Sequence, residues 1–199
     1  MPHEVLVLYY SPGGTTAEMA NIIARGVEEI DGVQARVRTV PDVSPISEQT
    51  DSPIPADGPL YATTEDLIEC DGLILGCPTH FGNMPAAMKY FIDSTSALWM
   101  GGKLAGKPAA VFSASTSIHG GQESTLLTMM LPLLHHGMLI VGLPYTETEL
   151  FQSKTGGSPY GATRLTDDLD ETLISDDEHK LCLAIGKRVA STTKKLFQE

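Results

Sequence analysis

The sequence predicts an α/β fold, a doubly wound three-layer sandwich with helices on both faces of a five-stranded parallel sheet. Apolar runs alternate with helix-like patterns along the whole chain, which is typical of successive βαβ units. Four of the five runs are apolar throughout, as expected for strands that helices cover on both faces. With 199 residues and 42% hydrophobic content, the chain fits a single domain, 1–199, with a substantial core.

The strands are predicted from short apolar runs that end at glycine, proline or polar residues. They cover residues 5–10, 35–40, 72–77, 109–114 and 138–142. The second run, Ala-Arg-Val-Arg-Thr-Val, alternates polar and apolar residues, which indicates one solvated face. We therefore place the second strand at an edge of the sheet.

Four helices are predicted between the strands from apolar residues that recur at helical spacing. Their apolar faces run through residues 19–30, 84–95, 122–136 and 177–197. Pro85 suits the start of the second helix, whereas Pro132 is expected to bend or break the third. The connections 41–65 and 143–172 are too long for simple turns, so we predict insert loops there: lids, binding loops or disordered linkers.

Charge and cysteine content exclude several functions. With 25 acidic and 13 basic residues, a net charge of -12, the chain is expected to bind neither nucleic acid nor an anionic membrane surface. The three cysteines form no C-x-x-C pair, which favours reduced thiols and a cytoplasmic location. No apolar run suits a signal peptide or membrane span, so we expect a soluble protein. No metal site is predicted, because Cys77 and His80 lack a second ligand pair.

The first candidate binding loop, Ser-Pro-Gly-Gly-Thr-Thr, directly follows the first strand. Ser11, Thr15 and Thr16 offer hydroxyl groups at the carboxyl end of a strand, where ligands bind in open parallel sheets. Gly13 and Gly14 allow a tight turn, and the N-terminus of the next helix adds N–H donors that suit one phosphate. The lysine and third glycine of nucleotide-binding motifs are absent, so neither a triphosphate nor a pyrophosphate is indicated. The plain alternative is a glycine turn with a threonine N-cap.

Two further loops follow the third and fourth strands, and they favour a binding site over a plain glycine turn. The second presents the aromatic ring of Phe81 beside Thr79 and Asn83, and the third presents backbone amides and hydroxyls from Ala114 to Gly121. Together these loops suit a flat, partly polar ring whose phosphate reaches the first loop. One phosphate and one planar heterocycle describe flavin mononucleotide, FMN.

Six motifs occur in order along the chain: VLVLYYS with GGTT, PTHFGNM, LW at 98–99, GGQE at 120–123, LLHHGM at 133–138 and GGSPYGAT at 156–163. In these motifs the sequence resembles the flavodoxin-like NAD(P)H:quinone oxidoreductases of the WrbA family, over essentially its whole length. The resemblance implies the strand order 2-1-3-4-5, which the residues alone do not give.

The resemblance also implies which residues bind each ligand. It places the FMN phosphate in the first loop and the isoalloxazine ring against the second and third loops. The implied cofactor-binding residues are Ser11, Pro12, Gly13, Gly14, Thr15, Thr16, Pro78, Thr79, His80, Phe81, Gly82, Asn83, Ala114, Ser115, Thr116, Ser117, Ile118, His119, Gly120 and His135. Trp99, Gly13 and Tyr145 are expected to line the substrate pocket, and His135 to reach a flavin across a subunit boundary.

The implied reaction is the two-electron reduction of quinones to hydroquinones by NADH or NADPH, in two half-reactions over one FMN. The cofactor supplies the redox chemistry, so no catalytic side chain is expected to be essential, and His135 and His119 are candidates for proton relay. A homotetramer is also implied. Gly13 and His80 depart from some family members, which have tyrosine and arginine there, and the third loop is one residue longer than in some.

A flavodoxin-type one-electron carrier without turnover of its own is the alternative interpretation. The negative charge favours it, because that charge would steer a basic redox partner. The two insert loops, Trp99 and the family motifs favour the enzyme. A serine hydrolase lacks support because no G-x-S-x-G motif is present.

Overall fold

The computed structural model describes residues 2–44, 49, 51–166 and 174–197. The first half of the chain contains β1 His3–Tyr9, α1 Thr15–Glu28, β2 Val33–Thr39, α2 Thr64–Glu69, β3 Gly72–Pro78, α3 Ala86–Asp93 and α4 Ser96–Met100. The second half contains β4 Pro108–Ser115, α5 Gln122–His135, β5 Leu139–Ile140, α6 Glu149–Gln152, β6 Ala162–Leu165 and α7 Asp176–Phe197. Among the helices described, none has the length and apolar content needed to cross a membrane.

The strands form one parallel sheet in the order β2-β1-β3-β4-β5, which confirms the order implied by the resemblance. β1 lies between β2 and β3, with Val5 opposite both Ala35 and Gly72. β1, β3 and β4 are almost entirely buried, whereas most of β2 is half-buried. The alternating pattern of the second strand therefore predicted its edge position correctly.

The described sheet has one strand more than the sequence predicts. The predicted strand 138–142 is reduced to β5, and the chain leaves the sheet soon afterwards, where the Leu143 N–H donates to the Pro159 carbonyl at 3.0 Å. β6, inside the predicted insert loop 143–172, then pairs with the end of β4, with Ala162 opposite Phe112. β5 and β6 thus share one edge of β4. Residues 167–172 of that predicted loop and residues 45–48 and 50 of the other lie outside the described residues.

Helices cover both faces of the sheet, as a doubly wound sandwich requires. α1 and α7 pack on one face, and α2, α3, α4 and α5 supply buried residues to the other. α1 and α7 cross in backbone contact, because a Cβ on Gly186 would collide with the Ile23 carbonyl and one on Gly26 with the Leu183 carbonyl. This close crossing fixes the position of α1, the helix that follows the first candidate loop.

Several helix boundaries differ from the sequence prediction. α5 runs through Pro132 to His135 without a break, although Pro132 was expected to bend or break it. The apolar face 84–95 contains only α3, which ends at Asp93, and a separate short helix, α4, begins just beyond it at Ser96. α2 begins where the predicted insert loop 41–65 ends, because Thr63 and Asp66 form a reciprocal capping box.

Candidate functional site

Three loops meet at the carboxyl edge of the sheet, where β1, β3 and β4 end. We name them the first loop, residues 10–14, the second loop, residues 79–85, and the third loop, residues 116–121. The Thr79 hydroxyl lies 2.6 Å from the Thr125 hydroxyl, and the Thr79 N–H donates to the Ala114 carbonyl at 2.9 Å. A Cβ added to Gly121 would lie 2.8 Å from the Gly82 Cα. The second and third loops are therefore in direct contact.

The first loop enters α1 through a glycine and not through a capped threonine. Gly14 is the N-cap residue, with a φ of 83°, and no side chain caps the helix there. The Ser11 hydroxyl accepts a hydrogen bond from the Ala17 N–H at 3.1 Å, while the earlier N–H groups of the first turn have no partner within the helix. A Cβ on Gly13 or Gly14 would meet no atom within 4 Å. Open space, N–H donors and the positive end of the helix dipole together suit a phosphate group.

The second loop is a tight turn that exposes an aromatic ring. The His80 N–H donates to the Asn83 carbonyl at 2.8 Å, and the Asn83 N–H donates back to the His80 carbonyl at 3.0 Å. Between them, Phe81 has a φ of 52° and Gly82 a φ of 73°. The left-handed conformation is unfavourable for phenylalanine, and because the ring is fully exposed, no packing of the side chain compensates for this strain. Backbone strain beside an exposed aromatic side chain is typical of a ligand-contacting residue.

The third loop is exposed above a buried, internally bonded base. The Ser115 hydroxyl donates to the Ser117 carbonyl at 2.8 Å and accepts from the Gln122 side chain at 2.9 Å. Ser115 and Ala114 are buried, so their side chains support the loop from below. The five residues above them are exposed: Thr116, Ser117, Ile118, His119 and Gly120. The exposed part of the loop can thus offer backbone amides to a ligand.

The three loops carry no lysine or arginine, and the structure describes all of their residues. Their titratable side chains are Tyr10, His80 and His119. The Tyr10 hydroxyl bonds to the Asp42 carboxylate, and burial together with the charges of Asp42 and Asp51 raises the pKa of Tyr10. Tyr10 therefore remains protonated at neutral pH and links the 41–65 segment to the end of β1.

The remaining residues predicted to bind ligand in these loops differ in exposure. Pro12 and Gly13 are exposed, Pro78 and Thr15 are half-buried, and Thr16 is buried. The Asn83 side-chain carbonyl accepts from the Met84 N–H at 2.8 Å, so it stabilises its own turn. Tyr145, expected in the substrate pocket, is exposed beyond the end of β5, where its ring centroid lies 5.0 Å from that of Phe151.

Trp99 and His135 do not join the three loops of their own chain. α5 begins beside the third loop and ends at His135, and its 14 residues span about 20 Å. At that far end, Trp99, His135, His136, Leu131 and Pro132 line a cavity of about 400 Å³. Trp99 is half exposed, and the His136 Nε2 lies 2.9 Å from the Thr95 hydroxyl. We call this region the Trp99 face.

Arg164 is a charged residue near the site that the sequence analysis missed. It lies in β6 opposite Ala114, is 5% exposed, and its guanidinium pairs with the Glu18 carboxylate in the first turn of α1. Little in the sequence points to this residue, because β6 has only four residues and an arginine in so short a run argues against a buried strand. The pair joins the strand beside the third loop to the helix after the first loop.

A parallel sheet of this order with uncharged loops beyond β1, β3 and β4 defines the flavodoxin-like class of α/β proteins. The sequence comparison assigns the chain more narrowly. The family model described as NADPH-dependent FMN reductase matches residues 3–148, and the chain belongs to this family.

Two curated relatives and two solved structures extend the comparison. Proteins named NAD(P)H dehydrogenase (quinone) from Solidesulfovibrio magneticus and Geobacter sulfurreducens are 39% and 42% identical, each over 96% of this chain and 98% of the relative. A WrbA-like protein from Agrobacterium tumefaciens superposes with a TM-score of 0.70 at 24% identity, covering 97% of this chain and 98% of that one. Flavodoxin 2 from Bacillus cereus gives 0.62 at 18% identity, over 95% and 99%. The structural matches confirm the fold, and the relatives confirm the family resemblance.

Proposed function

We propose that this protein is an FMN-dependent NAD(P)H:quinone oxidoreductase that reduces quinones to hydroquinones in two-electron steps. The observation that carries the proposal is the near-complete coverage by relatives named NAD(P)H dehydrogenase (quinone), at 39% and 42% identity. The convergence of three uncharged, exposed loops at the carboxyl edge supports it, because a flavin phosphate and ring require such a surface.

The residues of the first loop fit a phosphate dianion. Gly13 and Gly14 leave open space, and the first turn of α1 presents N–H groups that have no partner within the helix. A dianion at this position would accept those N–H groups and interact favourably with the helix dipole. The hydroxyls of Ser11 and Thr15 are the side-chain candidates to complete this shell. Neutral donors would thus hold the phosphate without a cation in the loop.

The second and third loops fit the two kinds of surface that a flavin ring presents. The fully exposed ring of Phe81 offers apolar contact area, and the exposed amides of residues 116–120 offer donors to the polar edge of the ring. FMN, when bound, supplies the redox chemistry by taking a hydride from NADH or NADPH and passing two electrons to the quinone. The protein residues would hold the ring, exclude water from one face and orient the two substrates in turn.

Proton delivery to the reduced quinone falls to exposed histidines. His119 in the third loop and His80 in the second are both exposed to solvent. Either imidazole can hold a proton at the mouth of the pocket and recover it from water. No single catalytic side chain would be essential, because the cofactor supplies the redox chemistry.

We further propose a homotetramer in which the Trp99 face of one chain covers the loops of another. Trp99, Met100, Leu131 and Leu134 are each at least half exposed there, and Trp99 and Leu131 line the 400 Å³ cavity together with His135. Exposed apolar groups in such number favour a protein interface. This arrangement would bring Trp99 and His135 to a flavin that they cannot reach within their own chain. The three buried, free cysteines support a reducing, cytoplasmic location.

Anaerobic titration separates this function from the one-electron carrier. The purified chain is loaded with FMN and mixed with NADH or NADPH, and the visible absorbance of the flavin is followed. We expect direct bleaching by at least one nucleotide and recovery of the absorbance when a quinone is added. A protein that chemical reductants bleach but neither nucleotide reduces would be a carrier, and the proposed activity would be wrong.

A further inference from the structure

Glu18 places a negative charge close to the proposed phosphate site. It lies in the first turn of α1, and its N–H donates to the Gly14 carbonyl at 3.0 Å. One helical turn, about 5 Å along the axis, therefore separates Glu18 from the N-cap glycine. Uncompensated, this carboxylate would repel a phosphate dianion at the same helix end and would cancel part of the helix dipole. The overall charge of -12 adds to the repulsion.

Arg164 meets this carboxylate from the sheet. Its side chain is 6% exposed, and its guanidinium pairs with the Glu18 carboxylate, which is 45% exposed. β6 is held firmly beside the third loop, since the Thr166 N–H donates to the Ser115 carbonyl at 2.8 Å and the Thr166 hydroxyl to the same oxygen at 3.2 Å. The guanidinium is thus fixed by a rigid strand, and its burial limits screening by water and salt.

We propose that Arg164 is a positioning residue for the cofactor phosphate: it neutralises Glu18 and so keeps the N-terminal end of α1 available to a dianion. The inference rests on the proposed FMN function. It accounts for how a strongly acidic chain with no lysine or arginine in its three loops binds a phosphate. Arg164 acts through Glu18 and the local field, and it need not touch the flavin.

A purely structural role for the ion pair makes a different prediction. If Arg164 only held β6 against α1, its loss would disturb the loops and weaken the binding of FMN and riboflavin alike. An electrostatic role acts on the phosphate alone. Riboflavin has the same ring as FMN but no phosphate, so the ratio of the two dissociation constants isolates the phosphate contribution.

The experiment measures FMN and riboflavin dissociation constants by quenching of flavin fluorescence, using the full-length chain after its flavin has been removed. The variants are Arg164→Met, Glu18→Gln and the double variant, each at low and high salt. We expect Arg164→Met to weaken FMN binding roughly tenfold at low salt, the effect of one unit charge on a dianion across a partly screened gap of about 10 Å. Riboflavin binding should change less than about twofold.

Glu18→Gln should tighten FMN binding about threefold or more, because it removes a negative charge near the phosphate. The double variant should bind FMN about as tightly as the wild type, because the loss of one positive and one negative charge leaves the net charge unchanged. High salt should reduce all these differences. Glu28→Gln is the matched control: it removes the same charge from an exposed residue in the last turn of α1, about 15 Å away along the axis, and should leave both affinities unchanged.

Equal losses of FMN and riboflavin affinity in Arg164→Met, or no FMN effect in Glu18→Gln, would overturn the inference. If Arg164→Met fails to fold, Glu18→Gln against Glu28→Gln still decides, because both replace an exposed or half-exposed carboxylate by an amide. Failure of the proposed function has separate signatures: a wild-type chain that binds neither flavin, or one whose bound FMN is reduced by neither NADH nor NADPH.

Discussion

Replacing Phe81 should separate folding from flavin binding. The ring is fully exposed, so its removal loses no packing, and the residue has a φ of 52°, which costs phenylalanine about 1 kcal/mol. Asparagine tolerates this conformation better than most residues. Phe81→Asn should therefore raise the free energy of unfolding by about 0.5 to 1 kcal/mol, equivalent to roughly 1–4 °C in melting temperature for a chain of this size.

Flavin binding should change in the opposite direction. An aromatic ring stacked on a partner contributes about 0.5–1.5 kcal/mol beyond the area it buries, so its loss should weaken binding roughly tenfold. FMN and riboflavin should be affected alike, because Phe81 is proposed to meet the flavin ring and not the phosphate. This pattern contrasts with the FMN-specific effect expected for Arg164→Met.

The assay combines thermal unfolding of the flavin-free chain with fluorescence titration of both flavins. Phe81→Tyr is the matched control, since it keeps the aromatic ring and the strained backbone and should resemble the wild type in both measurements. A Phe81→Asn variant that unfolds more easily than the wild type, or that binds both flavins normally, would refute the assignment of Phe81 to ligand contact.

Three further predictions concern packing, pH and assembly. Gly186→Ala should destabilise the protein by about 2–4 kcal/mol in denaturant titration, because the new Cβ would collide with the Ile23 carbonyl; a loss below about 1 kcal/mol would contradict the close crossing of α1 and α7. Burial, and then the neighbouring His135, lowers the pKa of His136 below its usual 6.5, so the unfolded state binds more protons and stability should fall as the pH drops below about 6.5. His136→Gln should flatten the stability profile below about pH 6.5, and an unchanged slope would show that another group causes this pH dependence. Leu134→Glu on the Trp99 face should lower the native mass in light scattering, whereas Ile54→Glu, at a still more exposed position in the 41–65 segment, should not; a tetramer that survives Leu134→Glu would exclude this face as the interface.

Local sequence patterns predicted most of the secondary structure because burial imposes a periodicity on each element. The apolar runs 5–10, 72–77 and 109–114 became β1, β3 and β4, and the alternating run 35–40 became the half-buried edge strand β2. Pro132 misled the prediction for α5. Proline removes one hydrogen bond near the end of a long helix, and the packing of Met129 and Leu133 in the core continues on either side of it.

Pairing across long sequence separations could not be predicted in the same way. β6 has four residues, and its partner residues in β4 lie about fifty positions earlier, so no local period distinguishes it from a loop. The Arg164 and Glu18 pair depends on that pairing, because only β6 carries the guanidinium to the first turn of α1. The left-handed conformation of Phe81 likewise follows from the His80 and Asn83 bridge, which the residue types alone do not specify.

The sequence by itself determined the class of the protein: buried strands, amphipathic helices, loops of glycine and hydroxyl residues after three strands, and motifs that mark the family. These features are local, and each can be read from neighbouring residues. The tertiary structure decided that the second and third loops touch and that Arg164 pairs with Glu18 in the helix after the first loop. It also placed Trp99 and His135 at the opposite end of α5 from the loops of their own chain. Those relations depend on the order of strands and the length of a helix, because distance in space between separate elements is set by how they pack and not by any short stretch of sequence.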